Sequence, residues 1–208
     1  GKPHVAYRST IASRARTEYR HVKQTGGPGQ FAHVVLELEP APGFAFVDRI
    51  KGGAIPREYI RGVEAGVRSV MSEGLLGGFP VVDVRVTLLD GSIHEQDSSE
   101  LAFSIAGAKA FRQAAAAAGP VALEPIMKLE VSCDEDAVGA VVGDLARRRG
   151  RVTDIEVRGD ERVVRGEVPV AETFGYASAL GGLTHGRGRF TLEPSHYEPA
   201  PLAAAKAS

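Results

Sequence analysis

The chain has 208 residues, 43% of them hydrophobic and 25% charged, enough to bury one large core or two small ones, so disorder is excluded as the default. A formal net charge of −1 excludes a coat that holds nucleic acid through its overall field, and any RNA contact has to rest on local patches and shaped loops. The single cysteine, Cys133, excludes an internal disulfide framework and a cysteine-rich zinc site, which fits a cytoplasmic protein. No run approaches the roughly eighteen apolar residues of a membrane span, and Gly1-Lys2-Pro3-His4 lacks the charged-then-apolar pattern of a secretory leader.

The alanine tract Ala114 to Ala118, followed by Gly119-Pro120, reads as a helix end, because alanine favours helix and glycine with proline stops one. That places a boundary between a first module, 1–120, and a second, 121–199, with an alanine- and proline-rich tail over 200–208 that is expected to fray. In the first module Val34 to Glu39, ended by Pro40, and Phe44 to Val47 read as strands. Pro56 opens a helix whose apolar face carries Ile60, Val63, Val67, Val70 and Met71, with Gly62 and Gly66 expected to pack closely on a sheet. Val81 to Leu89 alternates as a strand, Asp90-Gly91 signals a turn, and Asp97 with Glu100 suggests a cap for a helix carrying Leu101, Ile105, Ala108 and Phe111.

After a joint containing Pro125, the second module reads strand, helix, strand, strand, helix, strand. The strands are Ile126–Ser132, Arg151–Val157, Val163–Val168 and Arg189–Leu192, with Gly159-Asp160 as a hairpin turn. One helix covers Asp134 to Arg148 with Val138, Val141, Val142 and Leu145 on its apolar face; the other starts near Ala171 and carries Phe174, Ala177 and Leu180. This order is the ferredoxin-like split βαββαβ arrangement. The fold class is α+β in two domains.

Four segments stand out chemically. Gln24-Thr25-Gly26-Gly27-Pro28-Gly29-Gln30 is a tight loop whose glycines let a partner approach the backbone, flanked by His21 and Lys23. On glycine content alone, a plain hairpin turn without a ligand is the better account. Ser92-Ile93-His94-Glu95-Gln96-Asp97-Ser98 is a polar loop before a helix N-terminus, where free backbone N–H groups suit phosphate oxygens. Taken alone, His94 is better explained as a surface histidine tied to a neighbouring carboxylate. Arg147-Arg148-Arg149 ends a helix and serves equally as a solvated cap or as an RNA or partner contact, while His185 and Arg187 make a weaker basic loop. Enzymatic readings fail: no Lys-Ser or Lys-Thr follows the glycines as a P-loop needs, no second histidine completes a zinc pair with His94, and triads are assembled from separate elements.

Several segments resemble elongation factor G. Ala6-Tyr7-Arg8 with the preceding Gly1-Lys2-Pro3, the Lys23–Gln30 loop, Gly52-Gly53-Ala54-Ile55-Pro56 and Ser92–Glu100 resemble its fourth domain. Gly143-Asp144-Leu145, Arg148-Arg149-Gly150, Phe174-Gly175-Tyr176-Ala177, Leu183 to Gly188 and Ser195-His196-Tyr197 resemble its fifth. The resemblance spans nearly the whole chain in order.

It implies an elongated α+β, ribosomal-protein-like domain followed by the ferredoxin-like one. It also implies an RNA-binding tip built from Gln24 to Gln30 and Ser92 to Ser98, with His94 at the family's tip histidine. The implied function is translocation of tRNA and mRNA, with the tip in the decoding region of the small ribosomal subunit. Arg147, Arg148, Arg149, His185 and Arg187 become candidates for the large subunit's GTPase-associated region. The chain itself would be no enzyme and carry no cofactor or metal. GTP and magnesium belong to an N-terminal GTPase domain outside it, and the protein is expected to be a cytoplasmic monomer without a membrane partner. Pro28 stands where many members carry arginine, and Phe31-Ala32-His33 replaces Tyr-Gly-His, so a divergent paralogue in ribosome protection or recycling is the alternative.

Overall fold

The computed structural model describes residues 4–24 and 26–201; the expectations for residues 1–3, Thr25 and the tail beyond residue 201 lie outside these. The chain divides into two compact units, one over Arg8–Ala122 and one that starts at Leu123 and takes in residues 4–7.

In the first unit, β1 (Arg8–Ile11) leads into β2 (Ala15–Lys23), β3 (Gln30–Pro40), β4 (Phe44–Asp48), α1 (Arg57–Glu73), β5 (Val84–Ser92) and α2 (Glu100–Ala118). The sheet order is β2-β3-β5-β4, antiparallel except for β4 beside β5, the parallel pair that α1 joins as a crossover. Alternate residues of β3 (Val34, Leu36, Leu38) and β5 (Val84, Val86, Leu88) point into one core with Val63, Val67 and Val70 of α1 and Phe103 and Phe111 of α2.

Several expectations change here. Asp90-Gly91 is no turn. It lies inside β5, where Val34 pairs with Gly91 and Val35 with Asp90, while Leu36 pairs with Leu88, so the register slips past Leu89 in a bulge. A side chain at Gly91 would strike the His33 carbonyl and sit 2.5 Å from Ile55 Cδ1, which is why glycine stands there. Gly62 and Gly66 pack against α2 rather than the sheet: a Cβ at Gly62 would lie 2.6 Å from the Glu100 carbonyl oxygen, and one at Gly66 would collide with that of Ser104. Gly107 of α2 returns the approach: a Cβ there would lie 2.6 Å from the Val63 carbonyl oxygen. The buried stripe of α2 is Ala102, Phe103, Ala106, Ala110 and Phe111, whereas Leu101 is 61% exposed. The cap of α2 is Ser99, which accepts the Ala102 N–H at 3.0 Å, and not Asp97. β1 and β2 carry no apolar run; β2 is an edge strand that buries only Ala15 and Thr17.

The second unit contains β6 (Pro120–Asp134, from Leu123), α3 (Val138–Arg147), β7 (Arg151–Arg158), β8 (Glu161–Pro169), α4 (Tyr176–Thr184) and β9 (Arg189–Pro199). Its antiparallel order, β9-β6-β8-β7, is the ferredoxin-like arrangement. No joint interrupts the chain at Pro125: β6 runs through it, pairing Pro125 with Tyr197 of β9. The expected helix from Asp134 starts as a 3₁₀ turn, Glu135–Ala137, before α3. The one expected near Ala171 begins at Tyr176, after a 3₁₀ turn at Val170–Glu172, and leaves Phe174 44% exposed and Ala177 exposed. Its buried face is Tyr176, Leu180 and Thr184. Tyr176 and Leu180 pack with Leu129, Val131, Val141, Leu145 and Val164, while Thr184 turns its hydroxyl to the Leu180 carbonyl at 2.7 Å.

The helix packing separates two kinds of glycine. Gly66→Ala forces α1 and α2 apart and should cost about 1–3 kcal/mol of unfolding free energy, as overpacking does. Gly143→Ala, in open space on α3, should instead stabilise by about 1 kcal/mol; calorimetry of the two variants checks the contrast. Tyr176 is buried with its hydroxyl unpartnered among the described residues, and burial pushes its pKa from the ordinary 10.0 up to about 12. The folded state therefore holds this proton more tightly, and its contribution is complete below pH 10.0 and lost as the pH climbs through about 12. Tyr176→Phe should leave stability at pH 7 within about 1 kcal/mol and remove that alkaline decline in denaturant titrations.

Candidate nucleic-acid interface

The β2–β3 hairpin and the segment joining β5 to α2 finish at the same end of the first unit's sheet. Register brings this about: Lys23 pairs with Gln30 at the mouth of the first loop, and His33 pairs with Ser92 at the start of the second. His21 Nε2 and Gln30 Oε1 close the first loop at 2.8 Å. Gly26, Gly27 and Pro28 are exposed, as are Gln24 and the run Ile93 to Gln96.

Main-chain groups fasten the two loops together. Phe31 N–H donates to the Asp97 carbonyl at 2.9 Å, and Ser98 Oγ donates to the Phe31 carbonyl at 2.9 Å. The same Ser98 hydroxyl accepts the His94 N–H at 2.9 Å, and Ser98 N–H returns to the His94 carbonyl at 3.1 Å. Gly29 lies so close to Asp97 that a Cβ there would be 2.8 Å from its carboxylate carbon. Below the loops, buried His33 bridges Ser92 Oγ and Glu18 Oε1, each at 2.7 Å.

His94 is half-exposed, and its Nδ1 accepts the N–H groups of Gln96 and Asp97, both at 3.3 Å, with Asp97 Oδ2 3.6 Å away. An accepting Nδ1 selects the tautomer with its proton on Nε2, leaving that nitrogen as a donor. Its ring is 6.2 Å from that of Phe31, tilted by 51°. Phe31 is not among the residues the sequence singles out for the site. Its position directly after Gln30, one pair beyond the mouth of the hairpin loop, is the signal that finds it. Val22, paired with Phe31, and Ile93 add exposed apolar surface at 55% and 40%. The surface therefore combines amide donors and acceptors, an imidazole donor and small apolar faces, the functional groups that meet unpaired bases and sugar–phosphate backbone. It is no nucleophilic triad, because the Ser98 hydroxyl is spent on two backbone groups and not on the imidazole.

The basic segments of the second unit are placed differently. Arg148 donates to Asp144 Oδ2 at 2.9 Å and to the Glu172 carbonyl at 2.7 Å, and lies 5.0 Å over the Tyr176 ring. Arg149, with φ of 58°, grips both oxygens of the buried Glu124 at 2.9 Å and Glu172 at 3.2 Å; the Glu124 hydrogen bonds push its pKa further up. Removing it would strand a buried carboxylate, so these two guanidiniums act inside the fold. Arg147 and Arg187 are largely exposed, on weak surface pairs with Asp144 at 3.4 Å and Asp134 at 3.2 Å, and His185 is exposed at the end of α4. Glu167, His196 and Glu198 bring ligand atoms within 4.8 Å of one another, but Arg151 already bridges the two carboxylates at 2.5 and 2.8 Å.

Ser98→Ala should uncouple the two loops while leaving the sheet intact. The loss of about 1–2 kcal/mol of local stability predicts amide exchange roughly five- to thirtyfold faster at His94, with core strands unchanged, in hydrogen-exchange NMR.

Comparison with known proteins gives the family. Residues 3–119 match the profile described as elongation factor G, domain IV, and residues 121–207 match that of the elongation factor G C-terminus. The chain is 53% identical over 204 residues to elongation factor G of Aquifex pyrophilus, covering 97% of this chain and 29% of that protein. A crystal structure of a Thermus thermophilus protein superposes with a TM-score of 0.87 at 46% identity, over 99% of this chain and 31% of the other. The chain thus spans less than a third of the relatives it matches. With both profiles matched in order and nearly end to end, the chain belongs to the elongation factor G family, of which it carries domain IV and the C-terminal domain.

Proposed function

We propose that this chain is the ribosome-reaching arm of a translational GTPase and that it promotes movement of tRNA and mRNA by occupying the decoding region of the small subunit. The observation that carries this reading is the fusion of two exposed polar loops at one end of a sheet through Phe31 and Ser98. A probe that enters a crowded RNA site gains from a tip whose geometry is set before contact, because ordering loops on binding costs free energy. The glycines of the first loop admit RNA close to the backbone, and Gln24 supplies an exposed amide beside them. His94 Nε2–H supplies a directed donor from the second loop. The action is steric: the arm fills space beside a codon–anticodon helix and opposes its return.

In this reading GTP and magnesium belong to a separate GTPase domain of the parent factor. Of the basic residues that the sequence singles out in the second unit, Arg147, His185 and Arg187 stay available to large-subunit RNA, since Arg148 and Arg149 are engaged internally. No described helix is long and apolar enough to cross a membrane. In this reading the working form is a cytoplasmic monomer bound transiently to the ribosome.

His94→Ala in the full-length factor should slow translocation about tenfold, equivalent to about 1.4 kcal/mol of lost contact, with ribosome-stimulated GTP hydrolysis within about twofold of the parent. Rapid-kinetic assays of both activities check it. Equal loss of both would remove the tip-specific role.

A further inference from the structure

The first unit's sheet has a second face, opposite the helices, which the tip does not use. It forms an open concavity of ≈ 640 Å³ whose floor follows the strand register. Arg16 pairs with Glu37, Glu37 with Thr87, and Thr87 with Val47, so one row crosses all four strands. The next row sets Glu39 beside Arg85. Three strand spacings put the ends of a row roughly 14 Å apart.

The charge on this face is not self-cancelling. Glu37 is taken by Arg14 at 2.5 Å, and Glu39 by Arg85 at 3.1 Å, so each carboxylate already has its own cation. Arg16, Arg49 and Lys51 are exposed at the rim and form no ion pair among the described residues. Val47 and Leu89 are the only apolar side chains of the lining, too little for the dry centre of a protein–protein contact. By contrast, every arginine of the second unit, from Arg147 to Arg189, sits in an ion pair.

We propose that this concave face is a second RNA-contacting surface, which receives the phosphate backbone of an RNA duplex on Arg16, Arg49 and Lys51. A wide, shallow, cation-rimmed surface suits the backbone of an A-form duplex, which is met by shape and phosphate contacts and not by base reading. The paired Arg14 and Arg85 hold the floor neutral, so that the free cations face the phosphates without opposing carboxylates. The inference extends the RNA-contacting reading of the tip to a separate surface, and the two stand or fall on different measurements.

The test is fluorescence-anisotropy titration of the whole chain with a random-sequence RNA duplex of about 20 base pairs, from roughly 50 to 200 mM salt. Arg16→Gln/Arg49→Gln/Lys51→Gln is compared with Arg57→Gln/Arg61→Gln/Lys109→Gln, which removes the same charge from exposed positions on α1 and α2. All six residues are exposed, and circular dichroism with thermal melting confirms that both variants fold. The sheet-face triple should bind at least tenfold more weakly at the lowest salt, with the log–log salt slope reduced by about two to three; the helix-face triple should stay within about twofold. Equal weakening of both triples would reduce the effect to bulk charge and overturn the proposal. So would an unchanged sheet-face triple, an absence of salt-dependent binding by the parent chain, or, in a parallel titration, a loss of polyglutamate binding with duplex binding intact. None of these outcomes touches the tip, whose reading is decided by the translocation defect of His94→Ala.

Discussion

The candidate site depends on one constraint: both main-chain groups of Phe31 are satisfied by the other loop, its N–H by the Asp97 carbonyl and its carbonyl by the Ser98 hydroxyl. A polar backbone group at the end of a strand must find a partner or water. Here the partner belongs to a segment more than sixty residues later, as the separation of Ser98 from Phe31 records. Satisfying it brings His94 beside the glycine loop. The Ser98 hydroxyl also accepts from His94 N–H, so one side chain sets both the closure of the second loop and its attachment to the first. What stays open is the exposed glycine stretch at Gly26 and Gly27, where close approach is needed and no side chain interferes.

Charge is organised in the same selective way. With a net charge of −1 the protein has no long-range field to gather RNA indiscriminately. The second unit pairs its arginines with its own carboxylates, several of them at the surface and most firmly in the Arg149–Glu124 pair, where a two-toothed grip offsets the burial of Glu124. In the first unit Arg14 and Arg85 do similar work on the outer sheet, while Arg16, Arg49 and Lys51 do not. Counting arginines in the sequence therefore misjudges where cationic surface lies.

Much of the fold was legible because period and punctuation agree. The valines of α1, the strand at Val34 to Glu39 and the stop at Gly119 each follow a local rule, and the α+β class with a ferredoxin-like second half came from element order. The errors share a cause: tertiary contact overrode a local signal. Asp90-Gly91 has turn chemistry, yet it is held in β5 because the backbone of His33 needs the space a side chain would fill. Gly62 and Gly66 looked like weak points of a helix, but the surface they fit belongs to α2, which the sequence does not mark as a partner. β2 escaped notice because an edge strand with one buried face can be charged along most of its length. At the site, glycine content and polar residues mark the two loops and His94 as candidates in the sequence; the Phe31–Ser98 link and the internal commitment of Arg148 and Arg149 carry no such mark, because each depends on residues distant in sequence.

The glycine contact between α1 and α2 bears on function through stiffness. Where backbones meet at Gly62, Gly66 and Gly107, neither helix can slide without a collision, so α2 is fixed against α1 along its first half. The cap of α2, Ser99, directly follows Ser98, and Tyr59 of α1 donates to the Ser98 carbonyl at 3.3 Å while stacking on Phe103 at 5.2 Å. The second loop is thereby anchored at one end by the helix pair and at the other by β5. A loop held at both ends by rigid elements presents its side chains with little ordering cost on contact. For the proposed role, the packing of two helices on the far side of the sheet is thus part of how the tip keeps its shape.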